Sequence, residues 1–323
     1  MTTPTRTSDQ VVRPSQTVAP PKLTITVLSG GPGAEREISL QSGVEVGDAL
    51  ASLGHTVYRE DIAPENLAAL ARQVDAVFVA LHGTFGEDGQ VQSILERRKL
   101  RYCGSGPEAC ALAIDKPRAK AQFVERGIPT PRWDVATPES FRAALACWTL
   151  PLVVKPPKEG SSIHCHVVRD FPDLRPKTES VLERYGACLI EEYVPGIELT
   201  VGILGDRALP PIEIRPARDF YDYAAKYERD DTQYLFDIDL PAELLQHVQD
   251  MSLAAHHALG CRDFSRADWR VDPAGKRPYL LEINTIPGFT THSLLPKAAS
   301  RVGLSMPQLC DEIVRMALRR RPA

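Results

Sequence analysis

Asp75–Gly89, DAVFVALHGTFGEDG, is the stretch from which the fold is read. Asp75 to Leu81 is too continuously apolar to leave one face in water, which predicts a strand buried on both sides of a parallel sheet. His82 to Gly89 then places three glycines, two acids and a histidine directly after that strand. Open α/β sheets bind ligands outside the carboxyl ends of their strands. A mobile loop of this composition at such an end points to a site rather than to scaffold.

Upstream, Leu23 to Leu28 (LTITVL) reads as another buried strand. It runs into Ser29-Gly30-Gly31-Pro32-Gly33, where glycine lets backbone approach a ligand. A helix follows, with Val46, Leu50 and Leu53 at helical spacing, and Thr56 to Tyr58 begins a further strand. Strand, helix, strand, helix, strand predicts an α/β fold opening on a parallel sheet.

Downstream, a helix follows Asp115 and stops before Gly127, and Pro129 and Pro131 make a linker. Leu152 to Lys155 is a short strand entering Pro156-Pro157-Lys158-Glu159-Gly160-Ser161-Ser162. Cys188 to Glu192 and Leu199 to Leu204 read as strands. Ala242 to Leu259 reads as a helix stopped by Gly260. Trp269 to Val271 and Pro278 to Asn284 read as paired strands around Asp272–Gly275. Ser305-x-x-Gln308 is a capping-box pattern opening a last helix, with Leu309, Ile313 and Met316 as its buried stripe. This half has α+β character.

The chain has 323 residues and a formal net charge of -4, with no basic run longer than the tail Arg319-Arg320-Arg321, which argues against nucleic acid as a partner. No apolar stretch approaches the roughly 20 residues of a membrane span. Residues 1–21 lack the apolar core of a secretory signal and read as a flexible leader. The seven cysteines are scattered, without a C-x-x-C pair, and fit reduced thiols in a cytoplasm.

The chemistry concentrates near the C-terminal end. Glu282 and Asn284 lie two apart on one strand and so share a face, with Asp268 on or before the neighbouring strand. Two carboxylates and an amide oxygen are hard ligands suited to Mg²⁺. From the residues alone, Asp268 stays open between metal ligand and ion-pair partner of Arg266 or Arg270. Lys155 ends a strand, Lys116 stands near a helix start, and Lys226 lies in the polar loop Tyr221–Tyr227. Gly160-Ser161-Ser162 offers small side chains and backbone N–H groups that can cover a phosphate chain. No Walker A sequence is present.

Together these segments resemble D-alanine–D-alanine ligases. His82 to Gly89, continuing to Gln90-Val91-Gln92-Ser93, matches the family's HG-x-x-GED-G segment. Ala34 to Leu40 (AEREISL) is similar to its first substrate loop. Glu282-Ile283-Asn284-Thr285-x-Pro287-Gly288, followed by Thr290-x-His292-Ser293-Leu294, resembles its C-terminal signature. The match runs in order from about Leu23 to the end of the chain.

The resemblance implies an ATP-grasp fold in three parts: a Rossmann-like unit over 22–114, a central unit over 115–207, and a metal-bearing unit over 208–323. It implies ATP-dependent joining of two D-alanines through a D-alanyl phosphate, for peptidoglycan synthesis. The alternatives are a different D-amino acid or D-hydroxy acid acceptor, or a catalytically impaired relative. Lys116, Lys155 and Lys226 would contact ATP phosphates, Glu191 and the Val194 backbone the adenine, and Glu198 the ribose. Asp268, Glu282 and Asn284 would bind two Mg²⁺ ions, with Mn²⁺ as a substitute. Glu35 would take the first D-alanine's ammonium, near His82. Ser161 and Tyr227 would link with Glu35 to close the loop. Arg266 and the Gly288 N–H would stabilise the oxyanion, and Ser293 and Leu294 would receive the second carboxylate. Tyr227 favours D-alanine over D-lactate as acceptor. A cytoplasmic homodimer is the family expectation.

Three positions depart from the family pattern. Ile163-His164-Cys165-His166 stands where the family has a hydrophobic residue and then glycine, so a side chain at 164 would crowd the phosphate-covering loop or move it. Asp263 replaces a small residue and Arg270 an apolar one. His164 and His166 pose a transition-metal pair against the simpler reading of a strand edge.

Overall fold

The computed structural model describes residues 21–217, 231–272, 274 and 276–320. The leader expected over 1–21 lies outside this range except for its last residue, and Lys226 and Tyr227 lie outside it altogether.

Three sheets carry the molecule. The first is parallel, in the order β2–β1–β3, from β1 (Thr24–Gly30), β2 (Thr56–Ile62) and β3 (Ala76–Val79). Residues of β3 and its extension alternate between two cores: Ala76, Phe78 and Ala80 enter one, while Val77, Val79 and Leu81 enter the other. Burial on both faces is what the unbroken apolar run predicted. Helix α1 (Arg36–Ser52) turns Val46 and Leu50 onto this sheet. The expected second crossover helix is only a short 3-10 turn, Ala68–Ala71.

The second sheet is antiparallel, β4–β7–β5–β6, from β4 (Trp133–Ala136), β5 (Leu152–Lys155), β6 (His166–Val168) and β7 (Cys188–Glu192). Helix α6 (Phe171–Tyr185) covers it with Leu174, Val181 and Leu182. The third runs β11–β10–β8–β12–β13: β8 (Ile197–Leu204), β10 (Ile212–Arg215), β11 (Gln233–Leu235), β12 (Phe264–Asp272) and β13 (Arg277–Asn284), with β9 (Arg207–Ala208) on β8. Strand β8 belongs by its hydrogen bonds to this C-terminal sheet, although a division at residue 207 leaves it with the central unit. Helix α7 (Ala242–Ala258) packs Val248, Met251 and Ala255 against Trp269 and Leu280. Gly260, at φ +70, follows its end as expected.

The last helix, here α9 (Met306–Arg319), opens with the expected capping box: the Ser305 N–H donates to Gln308 Oε1 at 2.9 Å. Its apolar face, with Leu309 and Ile313, shares one core with β1 and β3. The first and third sheets are thereby fixed to each other, and the cleft forms where all three meet. No helix among the described residues is long and apolar enough to cross a membrane.

Candidate active site

Strand β12 alternates cleanly. Ala267, Trp269 and Val271 enter the core, and Arg266, Asp268 and Arg270 take the opposite face. On β13 that alternation is broken by a register shift: Asp268 stands opposite Glu282, but Trp269 stands opposite Leu280. Leu281 is the extra residue of a β-bulge. Leu280 and Ile283 both reach the core across it. The bulge therefore re-aims Glu282 and Asn284 onto the Asp268 face; a regular strand would turn Glu282 inward with Leu280.

Two carboxylates directly opposite each other repel. Here cations offset them. Arg266 donates to Asp268 through Nε (2.9 Å) and Nη2 (2.7 Å), and Thr200 Oγ1 donates to Asp268 at 2.7 Å. Lys116 Nζ lies 3.4 Å from Glu282. Asn284 Oδ1 accepts from the Ile286 N–H at 2.9 Å. The hairpin ion pair left open by the sequence is thus present, and it joins Asp268 to the residue expected at the oxyanion. Hard oxygens from Asp268, Glu282 and Asn284 on one face, flanked by cations where phosphate would lie, fit Mg²⁺. Among the described residues no group of three or more His, Cys, Asp or Glu is placed to hold a metal ion, and His166 lies on the edge strand β6.

Two pockets meet at Lys116, Glu159, Gly160 and Glu282. Glu35, Ser161, Arg266, Asn284, Gly288, Ser293 and Leu294 line the first. Glu35 stands just before α1, buried, and its carboxylate accepts from the Ser161 hydroxyl. A Cβ on Gly288 would come within 2.6 Å of Ser293 Oγ, so that close approach depends on glycine, while one on Gly160 would make a tight contact of 3.2 Å with Glu35 Oε2. Ser293 immediately precedes helix α8 (Leu294–Arg301), so the start of this helix, where backbone N–H groups lack intrahelical partners, borders the pocket. His82 does not line the pocket. It stands behind Glu87, with Nδ1 3.1 Å from the Ile286 carbonyl and 3.5 Å from Glu87. Burial alone would lower the pKa of the His82 ring, but Glu87, together with Glu35 and the Ile286 carbonyl, outweighs it and raises it above the ordinary histidine value.

Lys155, Glu191, Val194, Glu198, Asp268 and Arg270 line the second pocket. Glu191 is buried between two ammonium groups, Lys120 at 2.9 Å from Oε1 and Lys155 at 2.5 Å from Oε2. Burial would push its carboxyl up; the two lysines prevail and hold it below the usual carboxylate range. Both carboxylate oxygens of Glu191 are thus engaged, Oε1 by the close ammonium of Lys120 rather than by a well-aligned hydrogen bond, and the carboxylate borders the second pocket. Arg270 faces Glu198 across the ladder, with Nη1 3.3 Å from its carboxylate, and Nε donates to the Val194 carbonyl at 3.1 Å.

The loop over both pockets is left-handed at Ser161 (φ +49), Ser162 (φ +57) and His164 (φ +51). Such a conformation suits the glycine that His164 replaces. The expected crowding does not occur: His164 turns its Nδ1 to the Tyr185 hydroxyl (2.7 Å) and lines neither pocket. Asp263 is also left-handed (φ +63); it accepts from the Gly104 N–H at 2.8 Å and ion-pairs with Arg320.

Glu87, Lys120 and Arg270 were not among the residues given site roles from the sequence. Glu87 lies inside the His82–Gly89 loop, and Lys120 lies one helical turn after Lys116 in α4 (Lys116–Glu125), a spacing that shares a face.

The family model described as "D-ala D-ala ligase N-terminus" matches residues 55–105, and that described as "D-ala D-ala ligase C-terminus" matches residues 122–315. A D-alanine–D-alanine ligase of Anaeromyxobacter sp. (strain K) is 42% identical over 294 residues, covering 90% of this chain and 95% of the relative. A crystal structure of the Bacillus anthracis D-alanine–D-alanine ligase superposes with a TM-score of 0.82 at 36% identity, covering 92% of this chain and 98% of the other. The same enzyme complexed with ATP gives a TM-score of 0.81 at 35% identity, covering 93% and 98%.

Proposed function

The chain belongs to the D-alanine–D-alanine ligase family and is an ATP-dependent ligase joining two D-alanines for peptidoglycan synthesis, and we infer that its two joined pockets divide that reaction between them. A carboxylate does not react with an amine at neutral pH, because its leaving group is an oxide. ATP supplies a better one by forming an acyl phosphate.

In this reading the nucleotide occupies the second pocket. Lys116 and Lys155 take its phosphates, and Lys226 the γ-phosphate. Glu191 and the Val194 backbone read adenine, and Glu198 holds the ribose. Glu35, steadied by Ser161, takes the ammonium of the first D-alanine and aims its carboxylate at the shared wall. That oxygen bonds to the γ-phosphorus, the bond to ADP breaks, and D-alanyl phosphate forms. Ser293 and the N–H of Leu294, at a helix N-terminus, receive the second D-alanine's carboxylate. Its neutral amine attacks the acyl carbon. Arg266 and the Gly288 N–H stabilise the oxyanion, which collapses, expelling phosphate while the nitrogen loses a proton. Tyr227 closes the loop with Ser161 and Glu35 and excludes water. Asp268, Glu282 and Asn284 would hold two Mg²⁺ ions, or Mn²⁺ in their place, which when bound disperse phosphate charge.

The observation that carries this reading is the shared wall: Lys116, Glu159, Gly160 and Glu282 border both pockets, so phosphoryl donor and acceptor would meet in line there. The division into 22–114, 115–207 and 208–323 is kept as the working scheme, with β8 as the strand passing into the C-terminal sheet. Seven free thiols support a reducing, cytoplasmic setting. Family membership supports a homodimer.

The test is phosphate release by the purified chain with ATP and Mg²⁺. D-alanine should stimulate it and L-alanine should not. Adding D-lactate to D-alanine should give no mixed product; efficient D-alanyl-D-lactate formation would favour the hydroxy-acid alternative. Silence with every D-amino acid would favour an impaired relative. Glu282→Gln should lower kcat by about a hundredfold or more, the order set by losing one preorganised charge.

A further inference from the structure

Lys120 is the one fully buried cation among the described residues that the reaction just outlined leaves without work, its relative exposure being 0%. Lysine is almost never fully buried unless paired. Its Nζ lies 2.9 Å from Glu191 Oε1, donates to Thr130 Oγ1, and sits 5.4 Å from the centre of the Trp133 ring. Trp133 is itself the ladder partner of Glu191 on β4 and β7. Glu191 thus has two buried lysines for one negative charge, where one would neutralise it. The two are not equivalent. Lys155 borders the second pocket; Lys120 borders neither.

If Lys155 were the sole partner of Glu191, drawing its charge toward a phosphate chain would strand a buried carboxylate, and breaking a buried pair in this way is strongly unfavourable. A second ammonium that cannot reach the pocket removes this conflict. We propose that Lys120 is a positioning residue for nucleotide recognition: it stays on Glu191, keeps that carboxylate ionised and aimed at the base, and so frees Lys155 for the phosphates. This rests on the roles given above to Lys155 and Glu191. The side chain touches no substrate and acts through its neighbour. Thr130 fixes its height, since the Thr130 hydroxyl in turn donates to the Leu280 carbonyl at 2.7 Å.

The test is steady-state kinetics of the full chain with ATP and with GTP, at saturating D-alanine. Lys120→Met should raise KM for ATP about tenfold, as expected for a weakened charged contact, with kcat and KM for D-alanine within about threefold of wild type. It should also narrow the preference for ATP over GTP. Lys120→Arg should restore most of the loss. In a Glu191→Gln background, where no carboxylate needs holding, Lys120→Met should add less than about threefold.

Wild-type KM for ATP in Lys120→Met would overturn the proposal, as would the full effect persisting in the Glu191→Gln background or a parallel fall in kcat. If Lys120→Met does not fold, Lys120→Gln, shorter and uncharged but polar, is read the same way. The underlying roles are tested separately. Glu191→Gln with an unchanged ATP preference, or Lys155→Met with an unchanged KM for ATP, would remove the premise and the proposal with it. Both altered while Lys120→Met is not would sink the proposal alone.

Discussion

Arg270 shows how much a single position changes. An apolar residue there would only floor the second pocket. Arginine faces it with a guanidinium that grips both the Glu198 carboxylate and the Val194 carbonyl, two groups given to nucleotide recognition. Arg270→Met should therefore raise KM for ATP by about tenfold, the order of a hydrogen bond to a charged group worth roughly 1.5 kcal/mol, with KM for D-alanine unchanged. Equal KM values for the two forms would show that Glu198 needs no such support. At this scale the sequence was legible where a residue type declares its chemistry. Glu282 and Asn284 share a face as their spacing of two predicted, and Asp268 on the neighbouring strand stands opposite Glu282. Lys120 was illegible, because a lysine on a helix normally lies in solvent. Only the packing of α4 against Thr130, Trp133 and Glu191 reverses this. At His164 the sequence leaves crowding or displacement of the loop open; in the fold its backbone is left-handed and its ring bonds the Tyr185 hydroxyl.

Among the elements, the long periodic ones follow from their sequences. Helix α7 buries Val248, Met251 and Ala255 and ends before Gly260, and the capping box opens α9. What period alone does not give is an interruption. The bulge at Leu281 is invisible in PYLLEIN, yet it decides that Glu282 faces the cleft. The segment between β2 and β3 is too short on apolar repeats for a full helix and folds as one 3-10 turn. Helix α7 also carries a titrating group at its contact with β12. His256 is buried, its Nδ1 is 2.7 Å from Ser265 Oγ, and burial, with His257 beside it, pulls its pKa down to about 4. The unfolded chain, with a histidine near the ordinary 6.5, binds the proton more readily across this window. Stability should therefore fall as pH drops from 6.5 toward 4, by up to about 3 kcal/mol from this residue. His256→Gln should flatten that limb of the Tm–pH curve. Parallel curves for the two proteins would contradict the assignment.

Across the whole molecule, the cleft is built from residues that are remote in sequence: Glu35 follows the first strand, Ser161 sits on the central loop, Arg266 on β12 and Ser293 before α8. Their order along the chain resembled a known family, but their convergence could not be read from local pattern. Convergence is enforced by the common core of β1, β3 and α9, and by Arg320, which binds Asp263 and donates to the Tyr102 carbonyl at 2.6 Å. Asp263, a departure in sequence, is in the fold a tie between the C-terminal end and the first sheet. The joined pockets give the central claim its most direct test. D-alanine carrying heavy oxygen in its carboxylate is turned over with unlabelled ATP and water, and the released phosphate is analysed by mass. Activation through D-alanyl phosphate predicts one heavy oxygen in each phosphate released by ligation. Phosphate carrying no label, while D-alanyl-D-alanine accumulates, would contradict the account.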